Sequence, residues 1–202
     1  PNVLDLIEEV EGDRQAADRI GALLVVVADP TACAIIAPPG QFGADIVVGE
    51  GQPLGVAMGY GGPLVGLFAC KSEYVRKIPG RIVGRTQDAN GNQGYTMTLR
   101  TREQDIRREK ATSNICTNEA LMALAATIYM SALGKNGMQS IARSTVQNTQ
   151  YAMEKLEAAG GKVRFSGKVF VEFVLDLPKS AEVVQEQLIE RGIMAGLPLG
   201  PY

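Results

Sequence analysis

The sequence predicts an α/β fold, and three short apolar runs together with neighbouring helical segments carry this prediction. The runs lie at residues 23–27 (LLVVV), 46–48 (IVV) and 65–70 (VGLFAC). Continuous β-branched runs of this kind are typical of strands that are buried on both faces of a mostly parallel sheet. A glycine-rich turn separates the second run from the third, and segments with helical periodicity flank the three runs. Strands combined with helices in this order define the α/β class.

The first predicted element is a helix over residues 4–20, where apolar residues recur at helical spacing opposite acidic residues. Gly12 lies in the middle of this segment. Because glycine disfavours a helix by about 1 kcal/mol, we expect the helix to be weakened or broken there. After the three strands, an Asn-Gly pair lies between residues 81–87 and 95–99. It predicts a hairpin or an extended polar loop.

The remainder of the chain is expected to hold longer helices and a small α+β unit. Apolar periodicity switches between helical and strand-like spacing there, and glycines punctuate the segments. The predicted elements are two helices over residues 118–133 and 138–159, separated by Gly134 and Gly137, a strand over 168–175 and a helix over 181–191.

Composition indicates a globular protein and gives no reason to expect nucleic acid or a membrane as a partner. The 202 residues are 46% hydrophobic and 21% charged, with a formal net charge of −2. The apolar runs are too short to span a bilayer, and the chain opens at Pro1 without a basic and apolar leader. Cys33, Cys70 and Cys116 are unclustered, which fits a reducing cytoplasm and argues against a zinc site. We therefore expect a cytoplasmic soluble protein, with Cys116 as a buried structural cysteine.

The absence of histidine limits the chemistry that the chain can perform by itself. Without an imidazole there is no Ser-His-Asp or Cys-His machinery and no histidine metal ligand. A proton transfer near neutral pH would need a perturbed carboxylate, lysine or cysteine, or a group supplied by a cofactor or by another chain. Self-contained hydrolase mechanisms are therefore disfavoured, and no metal site is expected.

Residues 43–71 are the most informative segment, and one expected side chain is missing from them. Their sequence, GADIVVGEGQPLGVAMGYGGPLVGLFACK, predicts a buried strand, a glycine-rich turn and a second buried strand. In enzymes that use pyridoxal phosphate (PLP), a lysine just after such a strand holds the cofactor as a Schiff base. Here Gln52 occupies this place, the first lysine of the chain is Lys71, and an amide cannot form an imine. The sequence therefore predicts a cofactor-binding fold without its covalent anchor.

Asp29 ends the first predicted strand. In PLP enzymes of fold type I, an aspartate at a strand end bonds the pyridinium nitrogen, and open α/β sheets collect ligands at the carboxyl ends of their strands. Two interpretations stay open, since Asp29 either has such a role or, with the following proline, only terminates a strand. The glycine cluster at residues 59–63 is ambiguous in the same way, because it either lets backbone approach a ligand or forms only a turn.

Residues 100–110 (RTREQDIRREK) hold five cations and three anions. On one continuous helix this segment would form two ion pairs one turn apart, and such runs are usually solvated helix faces. The alternative is an interface or anion-binding segment, because hydroxyl side chains follow it directly. Those hydroxyls either cap the next helix or bond a phosphate. The two expected ion pairs are Glu103 with Arg107 and Asp105 with Arg108.

Five strings of the sequence carry a resemblance to a known family: GADIVVGEGQPLG, GYGGPLVGLFA, PGRIVGRTQDANGNQGY, TLRTREQDIRREKATSNICTN and GIMAGLPLG. Over essentially the whole chain they resemble subunit 1 of the glycine cleavage system P-protein, the decarboxylating glycine dehydrogenase. The resemblance implies an α/β fold-type I PLP-transferase, similar to aspartate aminotransferase. Residues 1–115 are then part of the large sheet domain, and residues 116–202 hold the long helices and part of the small α+β C-terminal domain. About the C-terminal half of that subunit is expected to be represented.

The resemblance also implies an activity, a cofactor and partners. In this family PLP serves to decarboxylate glycine, and the aminomethyl group passes to lipoyl H-protein. In two-subunit P-proteins the lysine belongs to subunit 2, in a string resembling HKTFSTPHGGGGPG, and counting back from the shared Gly-Gly-Pro places it at Gln52. This chain is therefore expected to carry no catalytic residue and to work with P-protein subunit 2 as a cytoplasmic heterotetramer. Asp29 would be a relic of the pyridinium-binding position, or a pocket residue without covalent chemistry.

Fold-type I dimers build their active sites at the subunit interface, and the resemblance suggests how this chain contributes there. In related enzymes of the cysteine-desulfurase type, a threonine in a string resembling AGTPN reaches the phosphate of the neighbour's cofactor. The string KATSN puts Thr112 at that place. We expect the partner's PLP pocket to be lined by Thr112, Ser113 and Asn114, and the interface to include Arg100, Arg102 and Arg107.

Three functions compete at this point. The chain is a supporting subunit of glycine decarboxylase, a non-catalytic structural or regulatory paralogue, or a free-standing PLP aminotransferase or lyase. The last would need a Schiff base on Lys71 or Lys77. We also expect the chain alone to be inactive and to self-associate, because a sheet domain without its upstream strands exposes apolar surface and a strand edge.

Overall fold

The chain forms two compact units of helices and strands. One unit is Val10–Gly134, and the other combines the described residues before Val10 with those from Lys135 onward. The domain boundary that the sequence places after residue 115 stays a prediction. The structure is a computed structural model, and the residues it describes are 6–8, 10–78, 80–111 and 119–200.

Helix α1 spans Val10–Ile20 and begins later than the sequence predicts. Gly12 lies inside its first turn without interrupting it, so the expected break there is wrong. The cost of one glycine is small, and Arg14 offsets it by contacts that hold the helix to its surroundings. Its guanidinium lies 2.6 Å from the Asp18 carboxylate one turn later and 2.7 Å from the Asp45 carboxylate beside the sheet.

Three strands form a mixed sheet in the order β1-β2-β3. Strands β1 and β2 are parallel, whereas β3 is antiparallel to β2. A single loop joins β2 to β3, and a parallel pairing would need a longer crossover connection. The three expected strands are confirmed, but a mostly parallel arrangement is wrong for this part of the sheet. The strands are β1 (Val25–Val27), β2 (Ile46–Glu50) and β3 (Gly66–Cys70).

Strand β1 lies at one edge of this sheet, and among the described residues only β2 pairs with it. The side chains of Val25 and Val27 are 53% and 67% exposed. The expectation that this run is buried on both faces is therefore wrong for the chain as it stands, since nothing described covers one of its faces. The buried apolar side chains of the unit belong to helices, loops and strand ends: Ala17, Ala32, Ala44, Leu54, Val56, Val65 and Ala126.

Strands β4 (Ile82–Gln87) and β5 (Gln93–Thr98) form an antiparallel hairpin, as the Asn-Gly pair predicts. Asp88 closes the turn, because its carboxylate accepts hydrogen bonds from the backbone N–H groups of Asn90 and Asn92 at 2.8 and 2.9 Å. A further hydrogen bond from the Asn92 side chain and these backbone bonds lower the pKa of Asp88.

Residues 100–110 do not form one helix. Helix α2 is a single turn, Gln104–Arg107, between two short 3₁₀ turns. Arg108 has a φ of 52°, which ends the helix. Neither of the two ion pairs expected for a continuous helix forms within this described segment, because the side chains are not stacked one turn apart. Arg100 instead lies 2.5 Å from the Asp105 carboxylate.

Helix α3 spans Ala120–Ala158 and is interrupted at Gly134, where φ is 60° and ψ is −175°. The two resulting helical segments, 120–133 and 135–158, confirm the expected pair. Gly137 does not punctuate the chain but lies inside the second segment. A residue with a Cβ would be strained at the φ of Gly134, whereas Gly137 has ordinary helical geometry.

The second unit is a small α+β arrangement after α3. Within the described residues, the strand expected over residues 168–175 is wrong except at its last residue, because the residues before Leu175 contribute one antiparallel bridge, between Leu6 and Val169, and no continuous strand. Leu6, expected in a helix, thus belongs to this unit as an extended residue. The elements of the unit are β6 (Lys162–Val163), antiparallel β7 (Leu175–Asp176) and α4 (Ala181–Ile189), which confirms the last expected helix.

Candidate active-site edge

Asp29 and Gln52 lie at the same edge of the sheet. Because β1 and β2 are parallel, the residues that follow both strands leave the sheet at its carboxyl edge. Gly49 allows the two strand ends to approach closely, since a Cβ at this residue would lie 2.5 Å from the carbonyl oxygen of Ala28. The structure therefore brings both sequence-predicted positions to the edge where α/β folds collect ligands.

The carboxylate of Asp29 is partly used within the chain. Its Oδ1 accepts hydrogen bonds from the backbone N–H groups of Thr31 at 2.6 Å and Ala32 at 3.0 Å. These bonds fix the turn that leads into a short 3₁₀ helix, which is the local role expected of a strand-terminating Asp-Pro pair. Oδ2 accepts no hydrogen bond from the described residues. One oxygen thus has a structural role, and the other is available to a ligand.

Gln52 lies near the start of the loop 51–65, and one carboxylate holds both ends of that loop. Oε1 of Glu50 accepts hydrogen bonds from the N–H of Gln52 at 3.0 Å and from the N–H of Val65 at 3.1 Å. The side-chain amide of Gln52 forms no hydrogen bond within the described residues. Its backbone position is therefore fixed while its amide is available. No local sequence pattern indicates this role of Glu50.

The tip of the same loop presents two large side chains to solvent. Met58 is 89% exposed and Tyr60 is fully exposed. Tyr60 has a φ of 53°, which is uncommon for a residue with a Cβ. Only glycine fits at residue 59, because a Cβ there would collide with the carbonyl oxygen of Gly62. The glycine cluster is thus a tight turn whose close backbone approach is internal to the loop.

The first segment of α3 packs against the loop and the beginning of β3. The ring of Tyr129 lies against Gly55, where a Cβ would come within 2.6 Å of the ring. Glu119 directly precedes α3, and its Oε2 accepts a hydrogen bond from the N–H of Gly66 at 2.7 Å. The loop after β2 is therefore held by a carboxylate at each side as well as by an aromatic ring.

Lys71 lies at the opposite edge of the sheet from Asp29 and Gln52. It follows β3, which is antiparallel to β2, and so it lies beside Asp45, the residue before β2. Its Nζ is 2.5 Å from Oδ1 of Asp45. At roughly 3.3 Å per strand residue, Asp45 and Glu50 are about 16 Å apart. The first lysine of the chain is therefore neither near the carboxyl edge nor free of a partner.

Asp45 is a buried carboxylate on which several elements converge, and the sequence analysis missed it. Besides Lys71, its carboxylate accepts hydrogen bonds from Arg14 and from the backbone N–H of Leu24, both at 2.7 Å. The bond from Lys71, followed by those from Leu24 and Arg14, holds the pKa of Asp45 far below its usual range. The hydrogen bond between Arg14 and Asp45 also raises the pKa of Arg14. The one available signal was an acidic residue directly before an apolar strand.

The three arginines expected at an interface occupy different environments. Arg100 and Arg107 are exposed. Arg102 is buried, and its guanidinium donates hydrogen bonds to the carbonyl oxygen of Ile78 and, at 2.9 Å, to that of Gly80. Their part in an interface stays a prediction. Four further residues of the sequence analysis lie outside the described residues: Thr112, Ser113, Asn114 and Cys116.

Two absences hold for the described part of the chain. None of its helices has both the length and the apolar character needed to cross a bilayer. No three side chains of histidine, cysteine, aspartate or glutamate within it are grouped as metal ligands.

The elements around this edge have the arrangement found in PLP enzymes of fold type I. The structure of alanine–glyoxylate aminotransferase from Nostoc sp. superimposes with a TM-score of 0.62 over 98% of this chain and 50% of that one, at 18% identity. A cysteine desulfurase from Thermococcus onnurineus gives a TM-score of 0.56 over 96% of this chain and 46% of that one, at 20% identity. At such identities the likeness establishes the fold alone.

The chain belongs to the glycine cleavage system P-protein family, whose sequence profile matches residues 1–200. The crystal structure of glycine decarboxylase (P-protein) of the glycine cleavage system, in inhibitor-bound form, superimposes with a TM-score of 0.91 at 43% identity. That match covers 98% of this chain and 46% of the other.

Curated relatives agree with this assignment. A probable glycine dehydrogenase (decarboxylating) subunit 1 from Desulforamulus reducens is 51% identical over 203 residues, which is 100% of this chain and 46% of the relative. Its counterpart from Chlorobium limicola is 50% identical over 200 residues, 98% of this chain and 45% of the relative. The chain thus spans about half the length of the curated relatives it matches.

Proposed function

We propose that the chain is part of a glycine decarboxylase subunit that lacks the cofactor-anchoring lysine and supports the active site of a second subunit. The complete enzyme would decarboxylate glycine and transfer the aminomethyl group to lipoyl H-protein. Family membership and the designation of the relatives as subunit 1 support this proposal. We further propose that the assembly is a heterotetramer in the cytoplasm, formed with P-protein subunit 2.

The observation that carries the proposal is that Gln52, and no lysine, lies in the segment directly after β2 at the carboxyl edge of the sheet. Gln52 offers an amide there, and the amine of Lys71 is bound to Asp45 at the other edge. When bound, PLP supplies the electron sink on which amino-acid decarboxylation depends. Neither Gln52 nor Lys71 fits covalent attachment of PLP. We infer that this edge forms one side of a site whose cofactor is held by another chain.

In this proposal the chain orients the ligand and encloses the active site. Oδ2 of Asp29 is unused within the described residues, while its Oδ1 is fixed by two backbone donors. The loop after β2 is held at both ends by Glu50. Such fixed groups need little reorganisation when a ligand is bound, which favours pre-organised recognition. Thr112, Ser113 and Asn114 are proposed to bond the phosphate of the partner's cofactor, with Arg100, Arg102 and Arg107 at or near the interface.

The experiment that separates the competing functions measures PLP binding with and without subunit 2. The chain alone is expected to give no visible absorbance of protein-bound PLP. Addition of subunit 2 should produce that absorbance together with glycine-dependent release of CO2 when H-protein is present. A band from the chain alone would instead support a free-standing PLP enzyme. A complex whose activity does not depend on this chain would support a structural or regulatory paralogue.

The role proposed for Thr112 has its own test in the reconstituted heteromer. Thr112→Ala should weaken PLP binding and slow glycine decarboxylation, because one hydrogen bond to a phosphate oxygen is lost. A loss of at least about tenfold is expected, since a hydrogen bond to a charged group contributes about 1.5–3 kcal/mol. Thr127→Ala is the matched control, because that exposed hydroxyl bonds only to the carbonyl of Ala123 in its own helix. Unchanged PLP affinity and activity in Thr112→Ala would refute the role.

A further inference from the structure

One face of the β4–β5 hairpin exposes large apolar side chains. The register pairs Val83 with Met97 and Arg85 with Tyr95, and alternate residues of a strand share a face, so these four side chains lie on one side. Val83, Tyr95 and Met97 are 60%, 68% and 44% exposed. We call these four residues the hairpin face. An open concavity of about 570 Å³ lies near the turn end of the hairpin and is lined by Arg85, Thr86, Gln87 and Gln93.

The opposite face of the hairpin carries smaller side chains. Ile82 and Thr98 are half-buried there, and the hydroxyl of Thr98 donates a hydrogen bond to the carbonyl of Ile82 at 3.2 Å. Gly84 has no room for a side chain, because a Cβ would lie 2.8 Å from the methyl group of Thr98. The two faces therefore differ in kind, and only the hairpin face presents bulky side chains without cover from the described residues.

The base of the hairpin is fixed by a buried arginine. Arg102 follows β5, and its guanidinium donates to the carbonyl oxygens of Ile78 and Gly80, which precede β4. The two chain ends of the hairpin are thus joined by side-chain hydrogen bonds in addition to the strand pairing. Within the part of the chain described, the hairpin face is a pre-formed surface, and a pre-formed surface loses less conformational entropy on binding.

The sequence segment that contains the hairpin differs in charge from the rest of the chain. Residues 80–111 carry seven cations and four carboxylates, a net charge of +3, whereas the whole chain carries −2. Arg85 lies in the middle of the face and forms no ion pair within the described residues. Tyrosine, methionine and arginine are the side chains enriched at the centres of protein interfaces. A matching surface would place an apolar groove against Tyr95 and Met97 and a carboxylate against Arg85.

We propose that the hairpin face is a docking surface for the second subunit, which would present an apolar groove with an acidic rim. The inference rests on the proposed function, because the second subunit is the partner named there. Two observations favour this occupant. Arg85, which forms no ion pair within the described residues, calls for an acidic complement. Along the sequence the hairpin continues into residues 100–111, and the segment that follows them is proposed to bind the partner's cofactor.

The test compares dissociation constants of the heteromer at low and at physiological salt. Tyr95→Ala and Met97→Ala should each raise the dissociation constant at least tenfold. Arg85→Glu should raise it by a larger factor at low salt than at physiological salt, because screening weakens the charge contact. Thr96→Ala, an exposed residue on the opposite face, is the matched control and should change the constant by less than about twofold. Circular dichroism checks that each variant is folded.

Several outcomes would overturn the proposal. Wild-type affinity in both Tyr95→Ala and Arg85→Glu is one of them, and Arg85→Glu decides the matter if Tyr95→Ala does not fold. Loss of self-association with an unchanged heteromer would assign the hairpin face to a second copy of this chain instead. If the variants weaken the heteromer but the wild-type complex releases no CO2 from glycine, the docking surface stands and the proposed function fails.

Discussion

Gln52 and Asp45 together determine whether this chain can anchor PLP by itself. Gln52 places an amide where the family resemblance predicts a Schiff-base lysine, and Asp45 binds the amine of Lys71 at the far edge of the sheet. Asp45 is buried, and its carboxylate also accepts hydrogen bonds from Arg14 and Leu24. Lys71 therefore has a structural role at the edge of the sheet opposite Asp29 and Gln52. The environments of Gln52 and Lys71 therefore argue against a free-standing PLP enzyme.

Asp45→Asn should destabilise the fold in a pH-dependent manner. The contacts of Asp45 place its folded pKa below its unfolded value, so the ionised carboxylate stabilises the fold fully above the unfolded pKa of about 3.9. This stabilisation is lost as the pH falls through the folded pKa. The difference in urea midpoint between wild type and Asp45→Asn should therefore be largest near neutral pH and shrink below about pH 4.

The control for Asp45 is Asp18→Asn, which removes the other carboxylate paired with Arg14. Asp18 is exposed, and exposed ion pairs contribute little to stability. Its urea midpoint should stay close to that of the wild type across the same pH range. Equal midpoints for Asp45→Asn and wild type at pH 7 would contradict the role given to the buried carboxylate.

At the scale of elements, the site edge depends on close contact between strand ends and on a clamped loop. Gly49 lets the end of β1 approach β2, and Glu50 holds the loop that follows β2 at both ends. The buried Arg102 acts in a comparable way at the base of the hairpin, by joining the chain after β5 to the chain before β4. In each case a single residue fixes the geometry of a longer segment.

Gly49→Ala should destabilise the protein by about 1–3 kcal/mol, because the new Cβ would meet the backbone oxygen of Ala28 and the strands would have to separate. Gly94→Ala is the matched control in another strand. The nearest atom to its added Cβ is the methyl group of Thr86 at 4.0 Å, so its stability should change by less than about 0.5 kcal/mol or rise slightly. Urea unfolding measures both, and similar losses in the two variants would contradict the close approach at Gly49.

At the scale of the whole molecule, the chain leaves much apolar surface uncovered for its size. The edge strand β1 and the segment leading into it are examples, since Ile20, Leu23, Val25 and Val27 are all more than half exposed. Contiguous apolar surface next to an unpaired strand edge favours association. The hairpin face is a separate surface of the same unit, so two different contacts are expected, one that joins copies of this chain and one that joins the second subunit.

We expect the chain alone to self-associate, as measured by light scattering over a range of concentrations. Val27→Lys places a charge on the exposed edge strand and should shift the distribution toward monomer without loss of helical circular dichroism. Gln150→Lys adds the same charge at an exposed helical residue and should leave the association unchanged. A clean monomer of the wild type at high concentration would contradict the expectation.

The sequence predicted the two segments of α3, helix α4 and the hairpin well, because their causes are local. Periodic apolar residues define the two segments of α3, and an Asn-Gly pair with Asp88 before it defines the hairpin turn. The sequence predictions failed where the local conformation depends on contacts with residues distant in the sequence. Gly12 stays helical, the segment 168–175 is mostly not a strand, and residues 100–110 break into short turns, since their conformation depends on contacts that no local pattern records.

By itself the sequence determined the family, the α/β class and the absence of a lysine after β2, because these follow from residue identity and order. Only the tertiary structure decided that Asp29 and Gln52 share one edge of the sheet while the first lysine is held at the other. It also decided which side of the hairpin is uncovered. The reason is physical: strand direction and register bring together residues far apart in sequence, and hydrogen bonds such as those of Asp45 and Arg102 then fix their chemistry.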